Sequence, residues 1–417
     1  MCGWRSAAGR WNEGSSMRIL LVADVSAEKV LGGAERMLVH HVRALMHSRH
    51  HLAVLTRQPQ PDAPLTIDLG HGVTEYRLPF GGDKGPRGLL QLKHEAGIWW
   101  RQYGREFDVV VGEQPFVMWA LLRAGCRLPR LQVVHSFAYQ EYATRHGLDW
   151  DLKHRLVTAA MRHLEGGIYR SAQRLLVLSR HMRRELEVCF DIREARVALA
   201  PGGVDLPPAL SAQKRTALRR ELGWQGPVVV TLRNLVPRTG VDMLVQAAAM
   251  LRHEWPDVRW CVIGGGALAE PLGWLARQLG VDDIVEFTGY LPEEDVVRRM
   301  QAADAFMLPT RSLEGFGLVT IEANACGLPV VATPVGGNIE VASSSPDNRV
   351  AAAVSPEALA EAMGDLLAKK VSHAARVKRL RAHIGEHFSW PGHDNTFLEA
   401  VEAVVDGLAE PMEAEAS

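Results

Sequence analysis

Residues 309–333 read PTRSLEGFGLVTIEANACGLPVVAT. The run follows a short apolar segment, AFML at 305–308, passes through a loop holding Gly315 and Gly317, enters a helical stretch and ends in PVVAT at 329–333. Strand, glycine loop, helix and strand in that order form the repeating unit of a parallel α/β sheet. In such sheets ligands bind beyond the carboxyl ends of the strands. Glycines in the loop let backbone approach a ligand closely. The helix N-terminus offers free N–H groups and partial positive charge, which suits phosphate. Glu314 lies in the loop and Glu322 inside the helix, where a carboxylate can accept hydrogen bonds from ribose hydroxyls. The stretch can therefore hold a nucleoside diphosphate by its backbone and read sugar hydroxyls with two carboxylates. The plain alternative is an ordinary strand–loop–helix with two surface glutamates.

The same alternation continues outward in both directions. Toward the N-terminus, 18–23 (RILLVA), 51–56 (HLAVLT), 107–111 (FDVVV), 131–135 (LQVVH) and 174–178 (RLLVL) read as strands. Within the second half, 227–232 (PVVVTL), 258–263 (VRWCVI) and 282–287 (DIVEFT) do so as well. Continuous apolar runs separated by amphipathic stretches, such as 34–48, predict strands covered on both faces. The segment 201–213 (PGGVDLPPALSAQ) is rich in Gly and Pro and reads as a domain linker. The expected fold class is therefore α/β, with two facing Rossmann-like doubly wound parallel-sheet domains. Residues 17–200 form the first and 214–386 the second. Residues 387–408 place Phe397, Val401, Val404 and Val405 at helical spacing after the second sheet is complete, which predicts a helix crossing back over both domains. Residues 1–16 are expected to be a disordered leader, and 409–417 a frayed acidic tail.

Composition narrows the class. At 417 residues the chain is too long for one core. Its 47% hydrophobic and 23% charged content excludes wholesale disorder. No window of eighteen uninterrupted apolar residues occurs. Five scattered cysteines show no metal spacing and fit a reduced, cytoplasmic compartment. Residues 1–204 carry 28 Lys/Arg against 20 Asp/Glu, a net of +8, and the remainder carries −9. The first half therefore suits an anionic partner. Residues 84–105 mix basic side chains with Leu89, Leu90, Trp99, Trp100 and Tyr103, a pattern that suits a lipid headgroup layer or a helix with one core face. No module that reads nucleic acid is legible.

The whole run E-G-F-G-L-x-x-x-E-A-x-A-C-G-x-P-V-V-A-T resembles the family 4 glycosyltransferases of the GT-B fold, and the resemblance extends over nearly all of residues 17–410. It implies a retaining transfer of a sugar from a nucleotide-sugar donor to a hydroxyl acceptor, with the donor on the second domain and the acceptor on the first. By that resemblance Glu322 binds the donor ribose and Glu314 the donor sugar hydroxyls. The backbone of Gly315, Phe316, Gly317 and Leu318 lies at the sugar and diphosphate. Gly33, in Gly32-Gly33-Ala34-Glu35-Arg36, faces the diphosphate or an acceptor phosphate from the opposite wall, a plain turn being the alternative, and His135 reaches the donor sugar and acceptor region. Loops Gly264–Gly266 and Gly336–Glu340 are further cleft segments or tight turns.

One segment departs from the family. Where relatives carry G-R-L-V-P-x-K-G, this chain reads Arg233-Asn234-Leu235-Val236-Pro237-Arg238-Thr239-Gly240. Asn234 and Thr239 take the places of the phosphate-binding Arg and Lys, with Arg233 and Arg238 one residue away. Either these two arginines substitute, or phosphate stabilisation is weak. A catalytically silent nucleotide-sugar-binding subunit is thus one alternative. A sugar-nucleotide epimerase on the same fold and a phosphorylase are others. No D-x-D pattern or other metal site is legible, so no cofactor and no divalent ion is expected. The acceptor is expected to bear a phosphate or to lie in a membrane. Peripheral membrane contact would come through the basic first domain, at the inner face.

Overall fold

Most of the strand segments are apolar through their centres, so each presents alternate side chains to opposite faces of a sheet and needs covering on both. The computed structural model describes residues 16–28, 32–80, 82, 85–146 and 151–406. The expected tail, and the leader apart from Ser16, lie outside the described residues.

The first sheet contains β1 (Arg18–Val22), β2 (His51–Arg57), β3 (Thr66–Asp68), β4 (Thr74–Leu78), β5 (Val109–Gly112), β6 (Arg130–Val134), β7 (Arg174–Val177) and β8 (Val197–Leu199). Their spatial order is β3-β4-β2-β1-β5-β6-β7-β8, parallel except for β3 against β4. The second sheet contains β9 (Val228–Leu232), β10 (Arg259–Ile263), β11 (Val285–Gly289), β12 (Ala305–Leu308), β13 (Val330–Ala332) and β14 (Arg349–Val350), in the order β11-β10-β9-β12-β13-β14. Strand order reverses between β1 and β5 in one sheet and between β9 and β12 in the other. These are the points where doubly wound sheets bind ligands.

Period-two alternation divides each domain into two cores. Ile19, Leu21, Val109 and Val111 face the helices Gly33–Met46 and Trp390–Asp406, whereas Leu20, Val22, Val110 and Val134 face helices from 86–190. In the second domain Trp260, Val262 and Met307 pack against the helices Val241–Leu251 and Pro356–Ala368. Val230, Ile263, Phe306 and Leu308 face the opposite layer.

Helix Trp390–Asp406 lies on the first sheet although it follows the second domain in sequence. Phe397, Val401, Val404 and Val405 all enter the first-domain core. Its first turn is tied to helix Gly33–Met46 by His40, whose ring stacks on Trp390 at 3.4 Å and whose Nε2 lies 2.7 Å from Asp394. Phe316, Ile321 and Ala325 of the second domain join the same core cluster, so the two domains share apolar surface. The chain between β8 and the next helix, Ala212–Glu221, has no regular structure until Ser211 caps that helix.

Candidate active site

Side chains that follow strand carboxyl ends are aimed at the gap between the two sheets. Glu113 follows β5 and His135 follows β6; Arg233 follows β9, and Thr310 and Glu314 follow β12. The loop after β12 is drawn to its own domain by charge. Arg233 donates from one guanidinium nitrogen to Glu314 Oε2 at 2.8 Å and to Thr310 Oγ1 at 2.8 Å. Arg238 donates to the Leu313 carbonyl at 3.3 Å. Leu313 sits at φ 58.

Gly317 caps helix Leu318–Ala325 at φ 94, a conformation that strongly favours glycine. A Cβ at Gly317 would also come within 2.8 Å of Asn338 Oδ1. Asn338 is fully buried beneath this cradle, and neither of its side-chain polar atoms has a partner among the described residues; Thr320 Oγ1 is likewise unpaired. Buried polar groups without partners are rare, so the ground beneath the cradle carries unspent hydrogen-bonding capacity.

Glu322 stands in the second turn of the same helix, with its side chain 15% exposed. Burial raises its pKa, as does Glu293, against the lowering charge of Arg36. Arg36 belongs to the first domain and spans the cleft, with Nε 3.3 Å from Glu322 and one terminal nitrogen 3.1 Å from Glu293. Gly33 opens the same helix, and a Cβ there would meet Leu318 at 3.3 Å. Ser179 Oγ donates to the Gly315 carbonyl at 2.5 Å, and the Arg180 amide donates to Glu340 Oε2 at 2.8 Å. A Cβ at Gly315 would collide with the His135 carbonyl oxygen. The two walls therefore meet over the cradle.

His135 donates or accepts through Nε2 at 2.9 Å from Glu113 Oε2, and its Nδ1 is buried without a partner among the described residues. The loop that follows it is fixed by Glu165, which accepts from the Ala138 and Tyr139 amides and the Tyr169 hydroxyl at 2.9–3.0 Å. Burial pushes that carboxyl up to about 7.

The structure thus brings Gly33, His135, Arg233, Arg238, Glu314, Gly315, Gly317, Leu318 and Glu322 to one cleft. Phe316 contributes backbone only, because its ring is buried near Phe388 and the linker glycine Gly202. Thr239 is buried and donates to the Asn234 and Val236 carbonyls. Gly264 and Gly266 are required by the backbone of Arg233 and Leu235, against which a Cβ would clash. Sequence reasoning missed Glu113, Ser179 and Thr310 as cleft residues. Glu113 was the most legible of them, as a charged residue directly ending a wholly apolar run.

Two Rossmann-like sheets facing across such a cleft define the GT-B class. The family model for glycosyl transferases group 1 matches residues 214–383, and that for Glycosyltransferase Family 4 matches residues 31–207. A D-inositol 3-phosphate glycosyltransferase of Streptomyces scabiei is 31% identical over 381 residues, covering 86% of this chain and 83% of that protein. A GDP-mannose-dependent alpha-(1-6)-phosphatidylinositol monomannoside mannosyltransferase of Mycolicibacterium smegmatis is 38% identical over 200 residues; that match spans 46% of this chain and about half, 52%, of the relative. Among solved structures, sucrose-phosphate synthase from Thermosynechococcus elongatus superposes with a TM-score of 0.79 at 22% identity, covering 94% of this chain and all of that one. Anabaena HepE in complex with UDP-glucose does so with a TM-score of 0.70 at 20% identity, covering 93% of this chain and 100% of its own. This chain belongs to the family 4 glycosyltransferases.

Proposed function

We propose that the chain transfers a hexosyl unit, with retention at the anomeric carbon, from a nucleoside-diphosphate sugar to a hydroxyl of a phosphate-bearing acceptor. The observation that carries this reading is the glycine cradle between Glu314 and Glu322, open at a helix N-terminus and facing His135. Cradle amides and the helix dipole take the diphosphate. Glu322 takes ribose hydroxyls in exchange for its contact with Arg36, and the free Oε1 of Glu314 takes sugar hydroxyls. Arg233 and Arg238 gather on the Glu314 loop, so positive charge lies at the cradle although Asn234 and Thr239 do not supply it. That favours an active transferase over a silent binding subunit.

The developing charge on the departing phosphate is stabilised by these preorganised donors, which act more strongly in a cleft closed to water than they would in solution. The acceptor oxygen approaches on the face the phosphate leaves, through an oxocarbenium-like state. The neutralising groups are all protein groups, so the reaction needs no divalent ion; full turnover in excess chelator is expected. Among the described residues no cluster of His, Cys, Asp or Glu has the makings of a metal site.

The acceptor class rests on the excess positive charge of the first half and on the relatives, whose names specify phosphatidylinositol, inositol phosphate and mannosylfructose phosphate. Among the described residues no helix is long and apolar enough to cross a membrane. Trp99 is core, packed on Tyr76 and Phe107, so it does not serve a headgroup layer. Peripheral contact would instead use Leu152 and Leu156, 71% and 63% exposed beside Lys153 and Arg155.

The test is turnover of GDP-mannose and UDP-glucose with inositol phosphate, fructose phosphate or phosphatidylinositol vesicles, with the product's anomeric configuration read by NMR. An α-linked product from an α-linked donor is expected. An inverted product overturns the mechanism, and no transfer or hydrolysis with any pair overturns the activity.

A further inference from the structure

Four side chains, two from helices and two from the ends of β5 and β6, form one buried hydrogen-bond chain that ends at the candidate site. Its far end lies at the linker. His393, on the crossing helix, places Nδ1 at 3.2 Å from the Ala200 carbonyl and 3.1 Å from the Pro201 carbonyl. Its Nε2 lies 2.8 Å from His41 Nε2. His41 Nδ1 lies 2.7 Å from Glu113 Oε1, and the other oxygen of Glu113 lies 2.9 Å from His135 Nε2. His41 is fully buried, and Glu113 and His393 are 2% exposed.

The protons can be assigned from one end to the other. Carbonyl oxygens only accept, so His393 carries its proton on Nδ1. Burial, with the neighbouring His41 charge, lowers its pKa to about 3, so the ring is neutral and Nε2 holds a lone pair. His41 must then donate from Nε2. Burial alone would raise the Glu113 pKa, but the His41 charge and the hydrogen bonds from His135 and His41 bring it down to about 2, so it is a carboxylate that accepts on both oxygens. His41 therefore donates from Nδ1 also, so the hydrogen-bond pattern puts a proton on each of its two nitrogens, between His393 and Glu113. The second oxygen takes a proton from His135 Nε2. What remains is His135 Nδ1, a lone pair with no partner among the described residues, at the residue whose carbonyl lies against Gly315.

We propose that Glu113, His41 and His393 are positioning residues. Their chain fixes His135 as the Nε2–H tautomer, presents Nδ1 to a substrate hydroxyl, and locks the ring to the linker between the domains. The substrate clause rests on the transferase reading above; the tautomer does not. The chain is braced by stacking, with His41 against Phe397 at 4.1 Å and against His393 at 5.1 Å. The helix that carries His41 also carries Arg36, so one rod connects the Glu322 wall to the crossing helix.

The test is ring 15N NMR of the full chain labelled on histidine, with His135→Ala and His41→Ala used for assignment. Wild type is expected to show His135 protonated on Nε2 alone and His41 protonated on both nitrogens. Glu113→Gln offers one acceptor oxygen and one amide donor, so it no longer accepts from both rings. It is expected to move His135 away from that tautomer and to lower kcat on the order of 10²-fold or more, with donor KM within threefold, as wrong-tautomer variants of other enzymes do. Glu113→Asp should restore the tautomer and part of kcat. His393→Gln, which can both donate and accept, should be milder than His393→Leu. A wild-type His135 protonated on Nδ1 overturns the proposal whether or not turnover has been found. A folded Glu113→Gln protein that changes tautomer but keeps kcat overturns the positioning role.

Discussion

A single methyl group at Gly337 tests whether the cradle is a positioned device. Gly337 opens helix Gly337–Ser343 beneath the loop and donates its amide to the Glu314 carbonyl at 2.8 Å. Its φ is not positive, so alanine is locally allowed. The new Cβ would lie 2.6 Å from the Gly315 oxygen, 2.7 Å from Phe316 Cα and 2.9 Å from the Gly315 carbonyl carbon, all backbone atoms of the cradle. Ordinary contacts for a Cβ begin near 3.4 Å. The loop must therefore retreat by roughly half an ångström to an ångström, and it takes the Ser179 contact with it. Overpacking of this kind costs about 1–3 kcal/mol of stability, or several degrees in Tm for a domain of this size. A displacement near 1 Å in a catalytic site costs on the order of 10²-fold in rate. Donor kcat/KM is measured well below Tm, beside Gly364→Ala. In that control the Cβ meets Leu251 at 3.5 Å in a helix interior, so it should gain up to about 1 kcal/mol and leave kcat/KM alone. A Gly337→Ala enzyme within threefold of wild type, with a normal Tm, would show that the cradle's position does not matter to turnover.

Arg233→Ala removes a guanidinium hydrogen-bonded to both Glu314 and Thr310, worth about 1.5–3 kcal/mol for a charged bond; kcat/KM should fall about 10- to 150-fold, and an unchanged value would show that the arginine is not part of the site. Thr239→Lys restores the family residue but loses two hydrogen bonds at a buried position, so it should destabilise by about 2–4 kcal/mol without improving donor KM; a lower KM would contradict the burial and bonding assigned to Thr239. His393 is neutral when folded and takes up a proton when unfolded below its ordinary pKa of 6.5. Since the unfolded state binds more protons between about pH 6.5 and 3, stability falls as pH drops through that window, by up to about 1.4 kcal/mol per pH unit for this one group. Urea midpoints from pH 7 to 4.5 should therefore fall more steeply for wild type than for His393→Phe, and parallel slopes would sink the assignment.

Most of the sheet architecture was legible because buried parallel strands are apolar runs, as at β1, β5, β6 and β12. Four strands were not. β4 reads as loop because Glu75 and Arg77 are charged, yet both are buried as a 2.9 Å ion pair with Thr56 at 2.8 Å from the same carboxylate. β3, β8 and β14 are two or three residues long and carry no pattern. At the site, motif residues were legible because glycine and glutamate have local reasons to occur in a cradle. The Glu113–His41–His393 chain was not, since its members lie 72 and 352 residues apart and His393 reaches the other two only on the crossing helix. In the Asn234 and Thr239 segment, Arg233 and Arg238 turn toward the loop after β12, whereas Thr239 turns into the backbone, a difference of side-chain direction that the residue types alone do not reveal.

The most direct test of the central claim, that the cradle holds a nucleoside diphosphate through Glu322, is thermal unfolding with UDP, GDP, ADP and TDP, on wild type and Glu322→Ala. A ligand at 100 times its Kd stabilises by about 2.7 kcal/mol, which corresponds to a rise of roughly 5–10 °C. One of the four nucleotides is expected to raise the wild-type Tm by that much and to leave the Glu322→Ala variant unmoved. No shift with any nucleotide, or an equal shift in the variant, would contradict the claim.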